Sequence, residues 1–156
     1  MRTLSLAFDG AILRRGYWIY VVQVRCGRRQ FYYVGRTGDS SSANAASLFT
    51  RLSNHLNLSP KAKANALARK LRDRRLDASK ARYRVWGLRM DWPEPKSFRS
   101  HIPGRNKAAA IEREVAEWLR AKGYSVVGQH DSRTTPDRNL LRRVKASLRG
   151  VLPPAG

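Results

Sequence analysis

The sequence predicts a small α/β domain: a mixed three-stranded sheet flanked by helices, with an added basic helix and a C-terminal helix. Three observations carry this expectation. Residues 17–25 and 31–35 are rich in β-branched and aromatic side chains around a short glycine-containing turn, the mark of a β-hairpin. Apolar residues then recur at helical spacing in separate stretches, with one more strand-like run among them. A chain of 156 residues, 42% of them hydrophobic, suits one domain with one core, here residues 1–150 followed by a short tail at 151–156.

The elements follow in order. After the hairpin, RTGDSSSANA is a polar loop long enough to be functional. From about Ala46, Leu48, Phe49, Leu52 and Leu56 recur at helical spacing, with Arg51 and His55 one turn apart on an adjoining face. Ser59 and Pro60 read as a cap and first-turn proline, opening a second helix that runs to about Leu76. Leu67 and Leu71 anchor it, while Lys61, Lys63, Arg69, Lys70, Arg72, Arg74 and Arg75 cover much of the rest. RYRVWGLRM, residues 82–90, is the third strand, and the prolines of DWPEPKSFRSHIPGRN predict irregular structure through most of the next stretch. KAAAIEREVAEWLRAKG is a strong helix, with Ile111, Val115, Trp118 and Leu119 toward the core and Gly123 as its stop. SVVG is a candidate edge strand, and TPDRNLLRRVKASLRG a terminal helix capped by Thr135. No internal repeat or second domain is visible.

Charge narrows the function. Lys and Arg number 32 against 11 acidic residues, a net charge of +21, and nucleic acid is the commonest partner of so cationic a chain. The run YWIYVV is far too short to cross a bilayer, and Asp9 and Gly10 interrupt any signal-like N-terminal stretch, so no membrane role is expected. A single cysteine, Cys26, excludes an internal disulfide and a cysteine-rich zinc site and points to a reducing cytoplasm.

Two short motifs sit on the hairpin: Trp18-Ile19-Tyr20 on the first strand and Tyr33-Val34-Gly35 on the second. With Arg51 and His55 on the next helix and Ile111-Glu112 on a later one, the chain over roughly residues 16–128 resembles the GIY-YIG nuclease superfamily. Glu112 takes the place of that family's metal-binding glutamate, because Val115, Ala116 and Leu119 then fall where its helix carries apolar residues. The Arg51/His55 pair is similar to that of restriction-type members. Trp18 stands where the family usually has glycine. No asparagine follows the glutamate helix at the family's position; Gln129 and His130 are the nearest polar residues and Asn139 lies farther on.

The resemblance implies hydrolysis of DNA phosphodiester bonds with one divalent metal, Mg²⁺, for which Mn²⁺ can substitute. Tyr20 is then the base, provided that a nearby cation such as Arg36 or His55 lowers its pKa from about 10. Tyr33 positions the attacking water or a phosphate oxygen, and Gly35 leaves room for the phosphate or a substrate sugar. Arg51 holds that phosphate by bidentate contacts, and Glu112 binds the hydrated metal. The eleven acidic residues form no strand-borne cluster of the kind a two-metal site needs. Cutting both strands calls for two sites and hence a homodimer.

Plainer assignments compete. Tyr20 and Tyr33 suit a core aromatic pair, Gly35 a strand end, and Arg51 with His55 an exposed helix pair. Glu114 is the second candidate for the metal, and His101 and His130 read as loop residues. Lys61 to Arg75 form either a solvated surface or the nucleic-acid-binding element. At the level of function, the alternatives are a non-catalytic basic nucleic-acid binder, such as an RNA or ribosome binder or a decayed nuclease, and a toxin-like RNase.

Overall fold

A computed structural model describes residues 3–38, 45–93 and 95–155. It is a mixed α/β structure built on a four-stranded sheet in the order β3-β1-β2-β4. Strands β1 (Trp18–Cys26) and β2 (Arg29–Arg36) form the expected hairpin, in antiparallel register from Ile19 opposite Arg36 to Cys26 opposite Arg29. Gly27, at φ +59°, makes the two-residue turn that this register demands. Strand β3 (Arg82–Arg89) pairs antiparallel with the other side of β1.

Being central, β1 is covered on both faces, which is why it reads as a continuous apolar run rather than an alternation. Its odd-numbered side chains, Ile19 and Val21, join Tyr32 and Val34 in one core layer. That layer is completed by Ile111, Val115 and Leu119 from α3 (Phe98–Ala121) and by Val144 and Leu148 from α4 (Arg138–Arg149). The even-numbered Trp18, Tyr20, Val22 and Val24 face the other way. They pack with Tyr33 against Leu48 of α1 (Leu48–His55) and Leu67 and Leu71 of α2 (Ala66–Asp73). Gln23, the one polar residue buried within β1, donates to Gln30 and to the Tyr32 hydroxyl, each at 3.1 Å.

Several expectations need correction. The sheet has four strands, not three, because the SVVG edge strand forms as β4 (Val126–Val127) and adds to β2 in parallel, opposite Tyr32 and Tyr33. The second helix begins at Ala66 rather than Pro60: residues 60–64 carry no large apolar side chain, so helix there would bury nothing. Lys61 and Lys63 therefore precede the helix, and Arg74 and Arg75 follow it.

The last long helix starts nine residues earlier than its predicted start at Lys107, in the stretch expected to be irregular. Ser97 and Ser100 form a reciprocal capping box, and Pro103 sits in the second turn, where its missing N–H costs a single ladder bond. His101, read as a loop residue, is thus a fully buried helix residue whose Nδ1 lies 2.9 Å from the Tyr17 hydroxyl. Asp137, not Thr135, caps α4, accepting from the amides of Asn139 and Leu140. Phe49 is partly exposed and meets Phe8, with ring centroids 5.1 Å apart.

The RTGDSSSANA loop lies largely outside the described residues. The end of the chain is tied down, since Leu152 packs on the α3/α4 layer and the Tyr124 hydroxyl donates to the Pro153 carbonyl at 2.7 Å. Among the described residues no helix is long and apolar enough to cross a membrane.

Candidate active site

The two tyrosines and the histidine form one buried cluster on the α1/α2 face of the sheet. Tyr20 lies directly opposite Gly35 on β2 and Gly87 on β3. Tyr33 sits one diagonal step from it, with ring centroids 6.5 Å apart. His55 projects from the last turn of α1 onto both, at 6.4 Å from the Tyr20 ring and 5.4 Å from the Tyr33 ring. The exposed Arg51/His55 pair is therefore not what forms: His55 is only 4% exposed, and Arg51 is half-buried beside it.

Gly35 is explained differently from the sequence expectation. The space over it is filled by the Tyr20 ring, so that a Cβ added there would stand 2.5 Å from the phenol oxygen. The glycine admits the tyrosine rather than the substrate.

On the other side of β2 the acidic component is in place. Glu112, from the middle of α3, meets Arg36 at the end of β2, with Nε to Oε2 at 3.0 Å. The pair is an ionic contact rather than a well-aligned hydrogen bond. Arg36 also donates through Nη1 to the Gly38 carbonyl. Glu114, the second candidate, is taken up by Arg113 at 2.7 Å.

Arg36, the ion-pair partner of Glu112, lines a cavity of about 490 Å³ together with Arg51, Arg105, Asn106, Asp131 and Arg133, among others. Among the described residues four arginines line it against one carboxylate, Asp131, a balance that favours anions. Neither Arg105 nor Arg133 was found from the sequence. Arg105, Ala109 and Glu112 follow one helical stripe, a signal hidden by the proline at 103. Arg133 lies in an irregular segment whose position only the fold decides. Arg113 donates to the Ser132 carbonyl, and His130 Nε2 lies 3.0 Å from the Val34 carbonyl, so both ends of that segment are fastened to the sheet and α3.

Burial dominates the protonation of the cluster. It holds the Tyr20 phenol well above its ordinary range, with Tyr33 and Glu112 adding and Arg51 opposing. It pushes Tyr33 up to about 12. A cation-lowered tyrosine is thus not what the resting protein contains, because Arg51 acts on a phenol that has lost its water. The Tyr20 hydroxyl is buried without a hydrogen bond of ordinary geometry. His55 is lowered to about 4, by burial and then by Arg51, and is neutral at pH 7. Burial also raises Glu112 to about 7, against the pull of Arg36 and Arg51.

The basic residues around α2 divide. Lys70 lies beside Gly128 and His130, at the root of the segment that lines the cavity. Arg72 instead borders a separate cleft with Asn65 and Asp77, while Arg74 donates to the Lys70 carbonyl at 3.1 Å. Lys61, Lys63, Arg69 and Arg75 are exposed.

Among the described residues no group of three or more His, Cys, Asp or Glu could hold a metal ion. Glu112 fits only a hard cation that keeps most of its own waters and takes further oxygens from a bound phosphate, as Mg²⁺ and Mn²⁺ do. A cation there has to share Glu112 with Arg36. Comparison with protein-family models, with curated proteins and with solved structures finds no match for this chain.

Proposed function

We propose that the chain is a GIY-YIG-type endonuclease that hydrolyses DNA phosphodiester bonds with one divalent metal. The observation that carries this proposal is the ion pair of Glu112 with Arg36, an arginine that lines a cavity with three others, beside the cluster of Tyr20, Tyr33 and a neutral His55. An antiparallel β3-β1-β2 core, with the two tyrosines on neighbouring strands and the glutamate on a helix against them, supports the likeness to that superfamily.

In this account Arg51 and Arg36 grip the scissile phosphate, and Arg105 and Arg133 neutralise its neighbours. Glu112 holds Mg²⁺, which when bound stabilises charge on the leaving oxygen. Tyr33 orients the attacking water. Tyr20 is a neutral phenol at rest, and its proton has to be withdrawn as substrate closes the site. His55, neutral, faces both phenols with a buried Nδ1 that has no hydrogen-bond partner and can orient them, but at about 4 it is too weak a base to hold the Tyr20 proton. Lys70 extends the phosphate track from the cavity edge. Cutting of both strands requires two copies of the chain.

A second possibility is a non-catalytic nucleic-acid binder. It is favoured by one observation: both phenols are held protonated while Glu112 is already engaged by Arg36. Incubation of supercoiled plasmid and of a matched RNA with Mg²⁺, Mn²⁺ or EDTA separates the two. Metal-dependent nicking of the DNA supports the nuclease, cleavage of the RNA alone redirects it to an RNase, and tight binding without cleavage in any metal refutes it.

A further inference from the structure

The hairpin end of the sheet lies five residues along β1 from Tyr20, about 17 Å at the rise of a strand. There a second concavity, of about 370 Å³, is lined by Arg25, Gly27, Lys80 and Arg82. The register of β1 with β3 sets Arg25 directly opposite Arg82. Two like charges in that position repel, and folding gains nothing from them.

The surroundings do not neutralise the pair. Among the described residues neither arginine has a carboxylate within ion-pair distance. The nearby acid, Asp77, is already taken by the amide and hydroxyl of Ser79 and by Lys80 at 3.6 Å. Arg29, on the next strand, is turned aside, donating to the Arg74 carbonyl at 3.3 Å and lying over the Phe31 ring. Gly27 contributes no side chain to the cavity, and a Cβ built on it meets nothing within 4 Å, so the mouth is open.

We infer that Arg25, Arg82 and Lys80 form a second phosphate site, and that it takes a backbone phosphodiester of nucleic acid bound outside the cleavage cavity. The inference shares with the nuclease proposal only the nucleic-acid ligand. Side-by-side guanidiniums match the oxygens of a tetrahedral anion, and Lys80 adds a point charge. At an axial spacing of about 3.4 Å per nucleotide on one strand, the two sites stand roughly five nucleotides apart.

The test is amide chemical-shift mapping of the full chain in EDTA, where no cleavage occurs. A 12-base-pair duplex and, separately, inorganic phosphate are the probes. The duplex is expected to shift the amides of residues 25–28 and 80–82 saturably. Arg25→Gln combined with Arg82→Gln should abolish those shifts and reduce the slope of log K against log salt by about 0.9, the value for one lost phosphate contact. Shifts around Gly35 and Arg36 should persist in that variant. The single Arg25→Gln variant, with weaker hairpin shifts and a smaller change in slope, covers the case in which the double variant folds poorly. Absence of duplex shifts at the hairpin, or an unchanged slope, overturns the site. Shifts with inorganic phosphate but not with the duplex overturn its assignment to nucleic acid and point to a small phosphorylated ligand. Hairpin shifts in a protein that never cleaves DNA refute the nuclease and leave this inference standing.

Discussion

Replacing Gly35 by alanine puts a methyl group where the Tyr20 ring already stands. The added carbon would lie 2.5 Å from the phenol oxygen and 2.6 Å from Cε2, against the roughly 3.5–4.0 Å of a comfortable contact, so the ring or the strand must shift by about 1 Å. Tyr20 has little freedom to yield. It is fully buried on the central strand, between β2 and β3. Overpacking of this kind costs about 1–3 kcal/mol, which for a chain of this size lowers the melting temperature by roughly 2–12 °C. Thermal and urea unfolding followed by circular dichroism measure it. Because the obstacle is the far half of the phenol ring, Gly35→Ala should cost at least 1 kcal/mol less in a Tyr20→Leu background. Equal costs in the two backgrounds, or a Gly35→Ala protein as stable as the parent, would refute the assignment of this glycine to the tyrosine.

Two buried groups should give opposite pH trends. His55, lowered from 6.5 to about 4, contributes stability that is complete above pH 6.5 and lost as pH falls through about 4, up to roughly 3 kcal/mol. Glu112, raised from 4.5 to about 7, does the reverse: its contribution is complete below pH 4.5 and lost as pH rises through about 7. Between pH 4.5 and 6.5 the two oppose each other. Urea unfolding should therefore show stability rising with pH in Glu112→Gln and falling with pH in His55→Gln, relative to the parent; parallel curves would contradict the burial of both groups. In a separate salt titration of DNA binding, Arg69→Ala with Lys70→Ala should weaken affinity and flatten the salt dependence, by a slope of up to about 2, while secondary structure is retained. An unchanged slope would remove α2 from the binding surface.

The hairpin and its two tyrosines were legible because strand propensity, a glycine turn and the demands of a central strand agree there. Helix α1 was legible from its apolar spacing, and its serine cap from the structure alone. The start of α3 was not, since Pro93, Pro95 and Pro103 speak against helix locally and the Ser97/Ser100 capping box outweighs only the last of them. That error hid the Arg105, Ala109 and Glu112 stripe, and with it one wall of the cavity. Strand β4 was legible in SVVG as a candidate edge strand, but its pairing with β2, which makes the sheet four-stranded, depends on the edge that β2 offers and not on any local pattern. The protonation of Tyr20 was misjudged for a similar reason: the sequence displays its cationic neighbours but not its loss of solvent, and the second effect is the larger.

The most direct measurement is the single-turnover cleavage rate of a DNA duplex in Mg²⁺ by the parent and by Glu112→Gln, compared at equal DNA occupancy. If Glu112 holds the ion on which the chemistry depends, the substitution lowers the rate by about 10²-fold or more while DNA affinity stays within a few-fold. Cleavage by Glu112→Gln within about tenfold of the parent would contradict the account.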